Sequence, residues 1–323
     1  MNRRSFLQQS GRALVAVPFM PLASDLLNAA GTTTVFQGIP PAILKRIGIT
    51  TVCFRERFPA TRSRGAAAPS GGDLTLLDMP KFVADNLGVH NVEVWNAQFA
   101  DMSLDYCRKL KAAADAAGSK INNLQLDLSG GQDNLSDPDD AKRAANIAKV
   151  KEWMDRAAAC GCTSMRANTG GGAETAYDAK RTAASFRELA QYGQPKGVMI
   201  LIENHVGYSA NIDHVVEIVK DVNHPNCKVI CDWGNTPANG TPADKVVALS
   251  KLFPYVHLVS AKELDFDENN KHASYDVLPI IKATEAAGFK GVYSIEFYSS
   301  KPPKDVVAAA KDLVNALAAN IKA

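Results

Sequence analysis

Eight times along the chain, a short run rich in β-branched and apolar residues is followed by a longer stretch of helical periodicity. The runs read IGITTVCF from Ile47, VHNVEVW from Val89, INNLQLDL from Ile121, CTSMRANTG from Cys162, VMILIENH from Val198, KVICDWGN from Lys228, YVHLVSAK from Tyr255 and GVYSIEFY from Gly291. Helices are expected near residues 79–86, 103–117, 139–159, 178–192, 212–222, 243–253, 275–287 and 304–320. Short apolar strands alternating with helices argue for a parallel sheet, and eight repeats argue for closure into a single-domain α/β structure, a (β/α)8 barrel. A doubly wound open sheet is the alternative, but no G-x-G-x-x-G follows the first run. The chain's 323 residues, 46% hydrophobic and 22% charged, suffice for one such core.

Chemistry is expected at the strand ends, because barrels of this kind carry their active sites on the face built by the loops that follow the strands. VMILIENH climbs through five apolar residues and ends in Glu203, Asn204 and His205. A buried carboxylate without a partner tends to neutralise, so this ending implies either water or a cation beside Glu203. The second run ends in Glu93 to Asn96, the third in Asp127, and the fourth in Arg166 and Asn168. Asp232-Trp233-Gly234-Asn235 closes the sixth, His257 and Lys262 belong to the seventh, and Glu296 lies in the eighth. Side chains two apart share a strand face, which groups Glu203 with Leu201 and Met199, Asp232 with Ile230, and Glu296 with Ser294 and Val292. His257 comes early in its strand.

Three carboxylates converging at a barrel mouth would raise one another's pKa unless a cation neutralised them. Three oxygen donors and one imidazole suit a single divalent ion, Mn²⁺ or Mg²⁺ before Zn²⁺ or Co²⁺, with positions left open for substrate oxygens.

LIENH, CDWGN, VHLVSAK and YSIEFY together resemble the motifs on strands five to eight of the xylose isomerase-like TIM barrels, the sugar (phosphate) isomerase/epimerase superfamily. The resemblance runs from about Ile47 to the end of the chain. It implies that Glu203, Asp232, His257 and Glu296 are metal ligands and that Glu203 and Glu296 double as the acid–base pair. VEVWN, with Glu93, Trp95 and Asn96, is similar to the family's second-strand motif, although Gln98 stands where relatives often carry a histidine. Lys262 and His205 would contact substrate or support the ligands. Arg166 suits sugar hydroxyls or a carboxylate, with an ion pair to Glu203 or Glu93 as its structural alternative. Trp95, Trp233 and Phe297 offer flat faces to a sugar ring, or pack in the core.

The implied reaction is proton abstraction next to a carbonyl through an enediolate, completed by reprotonation on the other face or the neighbouring carbon. A sugar isomerase or epimerase is the first expectation. A lyase or hydratase on 3-keto-glycosides shares the same first step, and a non-catalytic sugar- or metal-binding barrel is the third reading. The expected partner is a small-molecule sugar, and a homo-oligomer stays open. The related DNA-repair endonucleases need further histidine ligands and a basic surface. With a net charge of +2, nucleic acid is not expected as a partner.

The first 30 residues are different material. MNRRSFLQQSGRALVAVPFMPLA sets Arg3 and Arg4 before Phe6 and Leu7 and resembles a twin-arginine export signal, which implies a periplasmic or secreted protein. Its apolar run, broken by Pro18 and Pro21, is too short to span a bilayer of ~30 Å, so no membrane anchor is expected in the mature form. Export favours a non-phosphorylated sugar. The six cysteines lack metal-knuckle spacing and read as small buried hydrophobes. Two loops draw notice: the arginine-bearing FRERFPATRSRGAAAPSGGD, a lid or a solvated surface loop, and Gly170-Gly171-Gly172, a ligand cradle or a turn.

Overall fold

The computed structural model describes residues 38–128, 134–172, 176–235 and 241–323; the expected export signal lies outside them. A helical turn, α1 (Pro41–Leu44), leads into β1 (Ile47–Thr50), α2 (Met79–Leu87), β2 (Asn91–Trp95), α3 (Leu104–Ala116) and β3 (Lys120–Leu126). The alternation continues through α4 (Asp140–Ala159), β4 (Ser164–Ala167), α5 (Ala179–Gly193), β5 (Met199–Glu203), α6 (Ile212–Val222) and β6 (Cys227–Asp232). It finishes with α7 (Pro242–Ser250), β7 (Val256–Glu263), α8 (Leu278–Ala286), β8 (Val292–Phe297) and α9 (Val306–Asn320). The strands pair in parallel and in sequence order, and β8 closes onto β1. The expected (β/α)8 barrel is the fold.

The sequence pattern explains the layers. Outward side chains such as Ile200 and Ile202 on β5, Val229 and Cys231 on β6, and Val259 and Ala261 on β7 are buried beneath the helices. Helix α6 answers with Ile212, Val215, Ile218, Val219 and Val222 on one buried face. Ser103, Asp139, Asp178, Asn211 and Asp305 each accept a backbone N–H at the start of their helices, and Thr241 with Asp244 forms a reciprocal capping box. All six cysteines are buried and free.

Inside the barrel, Leu201, Ile230 and Leu258, with Met199 and Val292, make an apolar plug. Above it Glu93 accepts hydrogen bonds from Asn123 Nδ2 and Ser294 Oγ, both at 2.6 Å, and Ser164 Oγ donates to Asn123 Oδ1 at 2.7 Å. Polar groups this deep are tolerable because each one has a partner.

Both noted loops serve structure. Arg57 donates to the carbonyls of Gly71 and Gly72, Arg62 pairs with Asp73, and Arg55 donates to the Ser299 carbonyl, so these arginines tie the loop down. Gly170 and Gly171 have φ of 71° and 91°, and a Cβ on either would lie 2.2 Å from Asn134 Oδ1 or the Tyr208 ring respectively. The second loop is a tight turn packed against protein. Among the described residues, no helix is long and apolar enough to cross a membrane.

Candidate active site

The fifth, sixth and eighth strands bring Glu203, Asp232 and Glu296 together, one carboxylate oxygen of each lying within 4.8 Å of the other two. All three are buried. By themselves they have the donors and the spacing for one divalent ion. Glu296 lines a cavity of about 690 Å³ at the barrel mouth, together with Trp95, Arg166, His205, Lys262 and Tyr298. Glu203 and Asp232 stand beside Glu296 without being part of that lining.

His257 is not with them. Ser260 pairs with Ser294 and Lys262 with Glu296 across the β7–β8 ladder, and Ser260 and Lys262 both bond to the inward-facing Glu296. His257 sits at the far end of its strand from the mouth, at the irregularity where the β6–β7 register skips from Val256 to Leu258, and it is not part of the carboxylate cluster. The expectation that His257 is the fourth ligand is therefore corrected: β7 brings a hydroxyl and an ammonium to the cluster, and no imidazole.

Lys262 takes up that place. Its Nζ lies 2.9 Å from Glu296 Oε1 and 3.5 Å from Asp232 Oδ2, and it donates to Asn235 Oδ1 at 3.1 Å. Burial would lower its pKa, but the charges of Asp232, Glu296 and Glu203 outweigh that and hold it above the usual lysine value. On the other side Arg166 Nε stands 2.9 Å from Glu203 Oε2, out of line for a hydrogen bond, so that oxygen has an ionic neighbour and accepts no hydrogen bond. Arg166 also pairs with Asp127, a residue the sequence offered only as a strand end. Burial pushes Asp127 up, but the Arg166 charge and hydrogen bonds from Arg166 and Asn168 hold it well below the carboxylate range. Trp95 Nε1 donates to the same carboxylate at 2.8 Å.

These surroundings separate the three acids. Glu296 Oε2 accepts from Gln125 Nε2 and Ser260 Oγ, both at 3.2 Å. Burial would raise Glu296, yet the Lys262 charge and hydrogen bond leave it below its ordinary value and ionised. Burial pushes Glu203 up to about 7 against the pull of Arg166, and Asp232 up to about 7 against that of Lys262. His205 lines the cavity with Nδ1 unbonded; burial and then the Arg166 and Lys262 charges push it down to about 4, so the ring is neutral at pH 7.

The donor set meets the needs of the expected divalent ion in part. Oxygen count and spacing suit it. The imidazole is missing, however, and Lys262 already stands as the cation at two of the three carboxylates, with the Arg166 guanidinium at the third. The triad could hold a divalent ion by its oxygens, but such an ion would have to share them with these two protein cations.

Three further expected contacts are absent from the cavity wall. Glu93 is held below it by Asn123 and Ser294, and burial raises it to about 7. Trp233 follows the inward Asp232 and so faces outward, fully buried, with its ring 6.0 Å from that of Tyr293. Phe297 has the same outward parity after Glu296 and packs on Phe266 at 5.1 Å. Gln125, Asn235 and Tyr298 line the cavity without having been singled out as contacts. Gln125 shares the inward parity of Asn123, and that alternation was the signal available for it.

The family model of the xylose isomerase-like TIM barrel matches residues 82–317. Among solved structures, an L-ribulose 3-epimerase is similar at a TM-score of 0.65 and 15% identity, over 85% of this chain and 95% of that one. A xylose isomerase-like TIM barrel protein from Mycobacterium smegmatis, in complex with magnesium, is similar at 0.62 and 17%, over 87% and 99%. The 3-keto-D-glucoside 4-epimerase of E. coli is similar at 0.58 and 14%, over 84% and 98%. At these identities the likeness concerns the fold. No curated protein matches the sequence significantly. The barrel, its strand-end acids and a family match across most of its length agree: this chain belongs to the xylose isomerase-like TIM barrel family.

Proposed function

We propose that the protein is a sugar isomerase or epimerase that moves a proton on the carbon next to a carbonyl. One observation carries the reading. An ionised carboxylate, Glu296, lines the cavity in contact with an ammonium, and a second carboxylate whose pKa is near neutrality lies within 4.8 Å. A base must be ionised to take a proton, and a group with a pKa near 7 can return one at neutral pH. Glu296 is assigned as the base and Glu203 as the acid. The names of the similar structures, epimerases of ribulose and of a keto-glucoside, favour this reaction class.

The rest of the wall suits a sugar. Arg166 and the Trp95–Asp127 pair offer polar edges beside an indole face, while Tyr298, half exposed, presents a ring at the rim. The cavity, about 690 Å³, lies in the ordinary range for small-molecule sites and has room for more than a single sugar ring. If the Arg3-Arg4 segment acts as an export signal, a non-phosphorylated sugar or sugar derivative is the substrate.

The test is deuterium uptake from D₂O into a panel of free ketoses, aldoses and 3-keto-glycosides, followed by proton NMR. Exchange at the carbon next to the carbonyl, lost in Glu296→Gln, is the expected result. Release of an aglycone without epimerised sugar would make the protein a lyase. Binding with no exchange in any sugar would make it a binding protein.

A further inference from the structure

The positive charge that the triad demands is supplied by the chain itself. Strand β7 sends Ser260 and Lys262 inward, and both bond to Glu296, through Oε2 at 3.2 Å and Oε1 at 2.9 Å respectively. The ammonium also reaches Asn235 Oδ1 at 3.1 Å and stands 3.5 Å from Asp232 Oδ2. Lys262 is buried yet lines the cavity, so its charge is screened from bulk water and presented to a bound molecule. We infer that Lys262 takes the place of a divalent ion in this barrel: its ammonium is the cation shared by Glu296 and Asp232, and it faces the carbonyl oxygen of the substrate.

The inference rests on the proton-transfer reading above and names the group that makes the transfer feasible. An ammonium has three N–H donors. Glu296 and Asn235 take two of them, and the contact to Asp232 is long, which leaves one N–H able to turn to an oxygen in the cavity. When the C–H bond breaks, its proton passes to Glu296, its electron pair becomes the new carbon–carbon double bond, and the carbonyl π pair moves onto the oxygen. Negative charge thus leaves the carboxylate and appears on an oxygen touched by the same ammonium, which keeps its own protons. A fixed donor aimed at developing charge in a buried site is an effective way to lower such a barrier. A dication placed among these carboxylates would meet the ammonium and the Arg166 guanidinium at close range, so the resident lysine works against its binding.

The test has two readouts on the full chain. Metal content of the purified protein is measured by elemental analysis, and Mn²⁺ binding by electron paramagnetic resonance titration. The expected result is far less than one equivalent of metal, deuterium exchange that survives EDTA, and Mn²⁺ binding at least about tenfold tighter in Lys262→Met than in the wild type. Lys262→Met should also slow exchange by about 100-fold or more. Lys262→Arg keeps a cation in place and should keep Mn²⁺ binding weak, which holds the comparison if the methionine variant folds poorly. One tightly held equivalent of divalent ion in the wild type, or exchange abolished by chelation and restored by that ion, overturns the inference while leaving the proton-transfer reading intact. Absence of exchange in every metal state overturns the proton-transfer reading, and the Mn²⁺ titrations then decide the counter-ion claim alone.

Discussion

Arg166 on β4 and Glu203 on β5 meet at 2.9 Å, both buried, and the same guanidinium holds Asp127 after β3. Three consecutive strands are thereby cross-linked at the mouth by one side chain. Arg166→Met would leave two carboxylates without their cation, and removing one partner of a buried pair costs about 3–5 kcal/mol. Urea unfolding near neutral pH measures the loss. A change below about 1 kcal/mol would mean that the cluster contributes no more than a surface pair.

The same pairing sets the pH dependence of activity. With Glu296 ionised and Glu203 protonated in the active form, kcat/KM should fall as pH rises through about 7, where Glu203 loses its proton. Arg166 favours ionised Glu203, so removing it should move this alkaline limb to higher pH. A profile flat from pH 6 to 9 in the wild type would remove Glu203 from the role of acid.

Glu93 makes a separate prediction for stability. Its pKa is raised by burial to about 7, so the folded state binds more protons than the unfolded chain between the ordinary carboxylate range and pH 7. The resulting contribution is a penalty: stability falls as pH rises through that window. Glu93→Gln, which keeps the shape and can still bond to Asn123 and Ser294, should flatten the fall between pH 5 and pH 8. Chemical denaturation at the two pH values gives the comparison, and an unchanged slope would place the pH dependence elsewhere.

His257 offers a negative control with content. Lying at the end of β7 remote from the mouth, it should tolerate replacement by Gln with kcat/KM changed by no more than about threefold, well short of the 10²- to 10⁴-fold loss expected for an acid–base group. A loss of 10²-fold or more in steady-state assays would restore it to the site.

Much of this was legible in the residues. The eightfold alternation fixed the barrel, and the helix starts fell where Ser103, Asp139, Asp178 and Thr241 could cap them. Glu203, Asp232 and Glu296 were found because each ends or nearly ends a short strand, on the face that carries Leu201, Ile230 and Ser294 respectively. The same rule, applied along β7 from Leu258 onward, puts Ser260 and Lys262 on the inward face, while His257 lies before it at the strand's far end. Motif likeness pointed to the histidine, and parity to the lysine. Depth was harder to read: Glu93 and Trp95 share a face, but Glu93 pairs with Thr50 and Asn123 at a level below the cavity, while Trp95 reaches it.

The sequence by itself determined that eight strands would close into a barrel and that acids would gather where three of them end, because hydrophobic period and strand parity are local properties of the chain. Only the tertiary structure decided which charges answer those acids. Arg166, Asp127 and Lys262 find their partners 34 to 39 residues away along the chain, through a register that includes shifts between Val92 and Glu93 and between Val229 and Ile230. Contacts set by stagger between strands depend on how the whole sheet closes, which no single segment encodes.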